Sequence, residues 1–233
     1  MKKLQRILLP SLAVLFSQNA LSAELDIKVT NLTHGLHFTP LLVTAHGADA
    51  YLYKTGMAAS EDLQKMAEGG DISGLSSMLM GINADVVENP AAGLLAPGTS
   101  TMTMLSTAAT NTHLSLVTML LPTNDGFVGL DSWEIPTTAG TYTVYLNGYD
   151  AGTEANNEII NGGGMPGVLG IPADPSGNNG TGGTGVTDME ETQVVHIHRG
   201  NLGDDDAAGG MSDVNNKVHR WLNPVAKVTI TVK

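Results

Sequence analysis

Cysteine is absent from all 233 residues. That excludes a disulfide framework, a thiol nucleophile and a lipid carried on an N-terminal cysteine. Aromatic residues make up only 4%, so the core has to be built from Leu, Val, Ile and Met. Basic residues are scarce as well: 11 Lys and Arg stand against 23 Asp and Glu, a formal charge of −12. Such a balance excludes nucleic-acid binding, which needs a basic surface, and unassisted adhesion to anionic lipid. It is compatible with cation binding or with plain solubility. The acids are unevenly spread, with fourteen Asp or Glu from Asp125 to Asp213 and Arg199 as the one basic residue among them. No Gly-x-Ser-x-Gly elbow, His-Glu-x-x-His helix or Gly-Lys-Ser/Thr phosphate loop occurs, so the common hydrolase, metalloprotease and nucleotide signatures are missing.

Long apolar runs are lacking too. Met1 to Ala23 reads as a secretory signal peptide, with Lys2, Lys3 and Arg6 at its start and an apolar stretch from Ile7 to Phe16 interrupted by Pro10 and Ser11. Ala20-Leu21-Ser22-Ala23 supplies small residues for cleavage after Ala23. The stretch is too short to anchor in a bilayer, and no later segment is long and apolar enough to span one. Lys2, Lys3 and Arg6 are the segment's only charges, so its removal takes the formal charge from −12 to −15. The expected location is secreted or periplasmic, and residues 24–233 suit one domain.

Along the chain, Leu25, Ile27 and Val29 alternate with Asp26, Lys28 and Thr30, which predicts a half-buried strand. Phe38 to Ala45 predicts a second, with Pro40 near its edge. Ser60 as a cap, Leu63, Met66 and Ala67 on one face, and Gly69-Gly70 as a stop predict a helix. Asp71 opens a second short helix through Leu75 and Met80. Together they form a helical insertion near residues 58–80, packed over one end of the fold. Thr99 to Ser106 alternates. His113 to Leu121 is apolar on both faces, with Leu114, Leu116 and Leu120 on one and Val117 and Met119 on the other, which predicts a central strand. Gln193 to Arg199 and Val225 to Val232 are the closing strands. Short strands between Gly-, Pro- and Asn-rich turns predict an all-β fold, an antiparallel β-sandwich with long polar loops. The longest loop, 161–185, holds ten glycines in twenty-five residues.

The stretch from Leu121 to Glu154 carries the chemistry. It has a polar turn at Asn124-Asp125-Gly126, the apolar run Phe127 to Leu130, an alternating strand from Thr141 to Asn147, and a second acidic turn from Tyr149 to Glu154. If the two strands lie side by side, Asp125, Asp150 and Glu154 converge. Three carboxylates so close repel one another unless a cation or a proton compensates. Hard oxygen ligands on loops suit calcium, Ca²⁺, with carbonyls and water completing the shell. Against this stands ordinary turn chemistry, in which each acid merely ends a strand.

The segments PTNDGFVGLDS, residues 122–132, and YDAGTEAN, residues 149–156, resemble the spondin domain, named from F-spondin and mindin. LHFTPLLVTAH and NPVAKVTITV, 36–46 and 223–232, resemble flanking segments of the same family, so the likeness runs through nearly all of the chain after residue 24. Glu154 stands where the family has an aspartate, which keeps the carboxylate. The resemblance implies a β-sandwich with a Ca²⁺ site near its edge, held here by Asp125, Asp150 and Glu154. It also implies an extracellular recognition or adhesion role, and with the enzymatic signatures missing the expected function is non-catalytic binding of an extracellular protein or glycan.

Two other functions compete. His196 and His198 alternate on a strand and share a face, as a Zn²⁺ or Cu²⁺ site requires. A third protein ligand is usual, with His113, His219 or the Asp204 group as candidates; the pair would make the chain a metalloenzyme or transition-metal binder. His34 and His37 carry the same ambiguity. The other alternative is a self-associating extracellular matrix component. Asp131 is left outside the first shell of the acidic site. Asp204-Asp205-Asp206 lacks EF-hand spacing and reads as a solvated loop. Trp133 and Trp221 suit either sugar stacking or the core. Asn31-Leu32-Thr33 matches a glycosylation sequon, relevant only in a host that glycosylates.

Overall fold

A computed structural model describes residues 22–190 and 192–233. Most of the expected signal segment, residues 1–21, lies outside the described residues. The described residues form ten antiparallel strands and two short helices, joined by turns and long loops.

Strand β1 (Glu24–Asn31) buries Leu25, Ile27 and Val29, as its alternation predicts. It lies between β5 (Ser100–Ser106) and β10 (Ala226–Val232), and β10 pairs in turn with the first part of β8 (Gly140–Asp150). A second group runs β4 (Asp85–Glu88), β3 (Leu42–His46), β6 (His113–Leu121), β7 (Gly126–Glu134) and then the last part of β8. Strand β8 therefore belongs to both halves: Gly140 to Leu146 pairs with β10, and Asn147 to Asp150 pairs with β7. Two-residue strands β2 (His37–Phe38) and β9 (His196–Ile197) add to β6 and β8. The sandwich is thus one continuous sheet folded over at β8. Its edge strands β4 and β5 approach each other and nearly close it. Asp85 Oδ2 ties that seam, accepting from Ala108 N at 2.7 Å and Asn111 Nδ2 at 2.8 Å.

There are two cores. The inner one gathers Leu25, Ile27, Val43, Leu116, Val128 and Ile230 between the halves. The outer one covers the other face of β3, β6 and β7 with helices α1 (Glu61–Gly69) and α2 (Ser73–Gly81), packing Leu63, Met66, Leu75 and Leu79 against Leu42, Val117, Met119 and Phe127. The helices therefore lie over a face of the sheet, not over one end. This explains the double-sided β6: its two apolar faces serve two cores. Each fully buried Phe or Leu contributes about 1.5–3 kcal/mol. Ser60 caps α1, accepting from Leu63 N at 3.1 Å, and Gly70 ends it in the left-handed region at φ 73°.

Two local expectations change. The predicted strand from Phe38 to Ala45 is split at Pro40, which has no N–H to give a ladder. Beside the split, Thr39 Oγ1 takes over as acceptor for Met119 N at 3.1 Å. The strand expected from Gln193 to Arg199 shrinks to His196–Ile197. The sequon Asn31 is fully buried, its side chain donating to Leu36 O at 2.7 Å and Leu95 O at 3.1 Å, so it offers no glycan acceptor.

Candidate functional site

The cross-strand pair Gly126–Asp150 joins the start of β7 to the end of β8. Asp125, the residue before β7, therefore lies beside the turn that Asp150 opens. Asp150 Oδ1 accepts from Gly152 N at 2.8 Å, which tightens that turn. Gly152 sits at φ 67° against the backbone of Thr192 and Val194, a place no side chain fits. Asp125 Oδ2 then holds the rest of the turn, accepting from Thr153 N at 2.9 Å, Glu154 N at 3.2 Å and Thr153 Oγ1 at 3.2 Å. Asn124 clamps the outer side: its Nδ2 donates to Glu154 Oε1 and to Asn157 Oδ1, both at 2.8 Å. Glu154 Oε1 also accepts from Gly170 N, reaching into the Gly-rich loop. Asn156 Nδ2 donates to Asp150 Oδ2 at 2.7 Å.

The three carboxylates are removed from water, with exposures of 0% for Asp125, 1% for Asp150 and 6% for Glu154. Burial, then the charges of Asp150 and Glu154, push Asp125 well above the usual carboxylate range, against backbone hydrogen bonds that pull it down. Burial raises Glu154 to about 7, opposed by its bonds from Gly170 and Asn124. Asp125 Oδ1 and Glu154 Oε2 are buried with no hydrogen-bond partner. A buried orphan oxygen costs about 1–3 kcal/mol, which a proton or a cation would offset.

The histidine pair belongs to the same place. β9 lies beside β8 with His196 directly opposite Asp150. His196 Nε2 stands 3.8 Å, and His198 Nε2 4.0 Å, from the same Asp150 Oδ2. Their hydrogen bonds assign different tautomers. His196 Nδ1 pairs with the Val194 carbonyl at 2.8 Å, so this nitrogen carries the proton and Nε2 keeps its lone pair. His198 Nδ1 accepts from Gly200 N at 2.8 Å, so in the neutral ring the proton is on Nε2, facing Asp150. Burial lowers His198 to about 4 despite the pull of Asp150. His198 is thus neutral, with an unpartnered Nε2–H beneath the acidic turns, and of the pair only His196 offers a metal a lone pair. Of the third ligands considered, His113 stacks on His46 at 6.4 Å, and His219 Nε2 faces Asp174 Oδ2 at 3.6 Å.

In kind, the donor set suits a hard cation: buried carboxylates with two unshared oxygens. In spacing, no three His, Asp or Glu groups among the described residues stand as a ready metal cluster. Both oxygens of Asp150 are already engaged, by Gly152 and Asn156.

Other candidates separate from the site. Asp131 is exposed on the outer half of β7 beside Ser132. Asp204 accepts from Met211 N and Ser212 N, each at 2.8 Å, and these bonds hold its carboxyl below the ordinary value. Trp221, 7% exposed, packs in the inner core against Gly148, with its ring centroid 5.0 Å from that of His198. Trp133 leans on Tyr142 at the edge of the same core.

The sequence did not single out Asn124, Thr153 and Asn156, which bind the carboxylates, or Asn157, which accepts from Asn124. The signal was their position inside the two acidic turns or just after the second. Also missed were Glu158 and Asp213, buried carboxyl side chains that order the loops. Glu158 accepts from Leu202 N at 2.6 Å and Gly203 N at 2.8 Å; Asp213 accepts from Ile160 N at 2.9 Å, Thr181 N at 2.7 Å and Gly183 N at 2.9 Å.

An antiparallel all-β module with a buried acidic edge is the class that fold and site define. The sequence model of the family described as Spondin_N matches residues 28–158, over half of the chain and across both acidic turns; the chain belongs to that family. The match stops at Glu158, so the histidine pair, Trp221 and the closing segment 223–232 lie beyond it. No curated protein matches the chain. Membership points to an extracellular recognition or adhesion module. Among the described residues no helix is long and apolar enough to cross a membrane.

Proposed function

We propose that the chain is a secreted, non-catalytic recognition module whose acidic edge binds Ca²⁺. Asp125 Oδ1 and Glu154 Oε2 would hold the ion, with Asp150 contributing charge from behind. The carrying observation is the buried trio itself: two orphaned oxygens and two carboxyls displaced upward in pKa. Bound Ca²⁺ supplies the positive charge that this cluster lacks. The chain's own residues do the rest: Asn124 and Asn156 orient the carboxylates, and the backbone of 150–154 keeps the turns closed. The surface so fixed, from 122–126 and 149–157, is presented to an extracellular protein or glycan.

A transition-metal enzyme draws less support, because His198 directs a proton, not a lone pair, at the shared space. Thermal melting in EDTA, in millimolar Ca²⁺ and in Zn²⁺ tests the proposal. A ligand that binds only the folded chain raises the melting temperature by mass action. A rise with Ca²⁺ that Asp125→Asn abolishes supports it. No rise with Ca²⁺, or a larger one with Zn²⁺ that His196→Ala abolishes, overturns it.

A further inference from the structure

Basic side chains are rare in this acidic chain, yet two of them meet at one cavity. Arg199 follows β9 and Arg220 precedes Trp221; with Asn201, Leu202, Trp221 and Leu222 they line a cavity of about 420 Å³. Among the described residues neither guanidinium forms an ion pair with a carboxylate. Arg199 makes one long bond, Nη2 to Asn156 O at 3.4 Å. Two unshared forks in a chain of charge −12 leave a local positive patch that a carboxylate matches in geometry and sign. Below them the indole of Trp221 is buried with its Nε1–H unpartnered. The rim is aliphatic: Leu222 is 84% exposed and Leu202 44%, large apolar side chains left in water beside the arginines.

These features select among ligands. A sugar ring wants an open aromatic face, and Trp221 offers none, being buried with His198 and Gly148 close to its ring. A nucleic acid would carry its phosphates past the two arginines onto a surface of like charge, which a short acidic segment need not do. A carboxylate carried next to an aliphatic group satisfies both the arginines and the leucine rim. We propose that the cavity between Arg199 and Arg220 binds an acidic peptide segment of a partner protein, the guanidinium groups taking its carboxylates and Leu202 and Leu222 its aliphatic side chains. The proposal rests on the recognition reading above for the existence of a partner, but not on the cation. It lies next to the acidic edge, since Trp221 underlies the cavity and touches His198, which faces Asp150.

The chain has two tryptophans, so Trp133→Phe leaves Trp221 as the one fluorescent reporter in the cavity wall. A short capped peptide of alternating glutamate and leucine is titrated into this variant in EDTA and again in Ca²⁺. A saturable change in Trp221 emission is expected in both, with none from the matching glutamine–leucine peptide. Arg199→Gln and Arg220→Gln should each weaken binding by about tenfold, at an unchanged melting temperature. Retention in EDTA separates this result from failure of the Ca²⁺ reading. An equal response to the neutral peptide, no response to the acidic one, or saturation by phosphatidylglycerol vesicles without response to the peptide overturns the proposal.

Discussion

His196 and Asp150 face each other across β9 and β8, with Nε2 3.8 Å from Oδ2. A lone pair on the imidazole thus looks at a carboxylate, an arrangement that a proton or cation between them would stabilise. The acidic edge and the histidine pair, read as rival sites in the sequence, share one carboxylate.

Titration of the edge gives the first prediction. Glu154 is raised in the folded chain, so the folded state binds the extra proton between its unfolded value of 4.5 and about 7. Stability from this group is present at low pH and lost as pH rises toward 7. His198 has the opposite sign: lowered from 6.5 to about 4, it favours folding above that window and weakens it as pH falls. Between 4.5 and 6.5 the two oppose each other, so in EDTA the melting temperature should decline from pH 6.5 through about 7, where His198 has stopped titrating and Glu154 has not. Glu154→Gln should flatten that decline and steepen the acid limb, where nothing then offsets His198.

Asp125→Asn removes one of three crowded carboxylates while its remaining oxygen can still accept from Thr153 and Glu154. A rise in melting temperature in EDTA at pH 8, of the order of 1 kcal/mol of stability, is expected from relieved repulsion. The Ca²⁺-dependent rise should vanish in the same variant. Differential scanning calorimetry with and without Ca²⁺ reads both effects.

Gly148 lies on β8 with the Trp221 ring against it; an added Cβ would come within 2.5 Å of that ring. Gly148→Ala should cost about 1–3 kcal/mol through overpacking. Urea denaturation measures the loss, and Trp221 emission should shift in the folded variant.

Phe127 is fully buried in the outer core, 5.1 Å from the Tyr53 ring and 5.6 Å from that of Tyr149. Phe127→Ala should destabilise by about 3–5 kcal/mol. Hydrogen exchange should accelerate first in α1 and α2, which depend on that core, and least in β10, which belongs to the inner one.

Asp213→Ala takes the shared acceptor from Ile160, Thr181 and Gly183. Limited proteolysis within 161–185 should become faster, with little change in the melting temperature of the sheet.

Period-two alternation at Leu25, Ile27 and Val29, the cap at Ser60 and the two-faced pattern of 113–121 made strands, helix and central position readable, because each depends on neighbours in sequence. Strand β4 escaped notice: it is four residues long and only half-buried. Pairing was not readable, since nothing local says that Gly140 to Leu146 will bond to β10 and Asn147 to Asp150 to β7. Placement of the helices over a sheet face followed from the second apolar stripe of β6, visible but open to more than one packing. The acidic turns announced themselves through Asn124-Asp125-Gly126 and Asp150-Ala151-Gly152. The link to His196 did not, because it spans a long glycine-rich excursion whose path is set by Glu158 and Asp213.

Continuity through β8 also governs how the module carries force. β1 and β10 run antiparallel with Leu25 opposite Val232, while β8 passes Gly140 beside Val232 and ends at Asp150 beyond the far end of β10. Tension applied between residues 24 and 233 would unzip β1 from β10 one rung at a time. Tension between residue 24 and a partner held at the acidic edge would instead run along the strands and load many backbone hydrogen bonds at once. The protein would grip hardest when pulled from the end where the carboxylates lie.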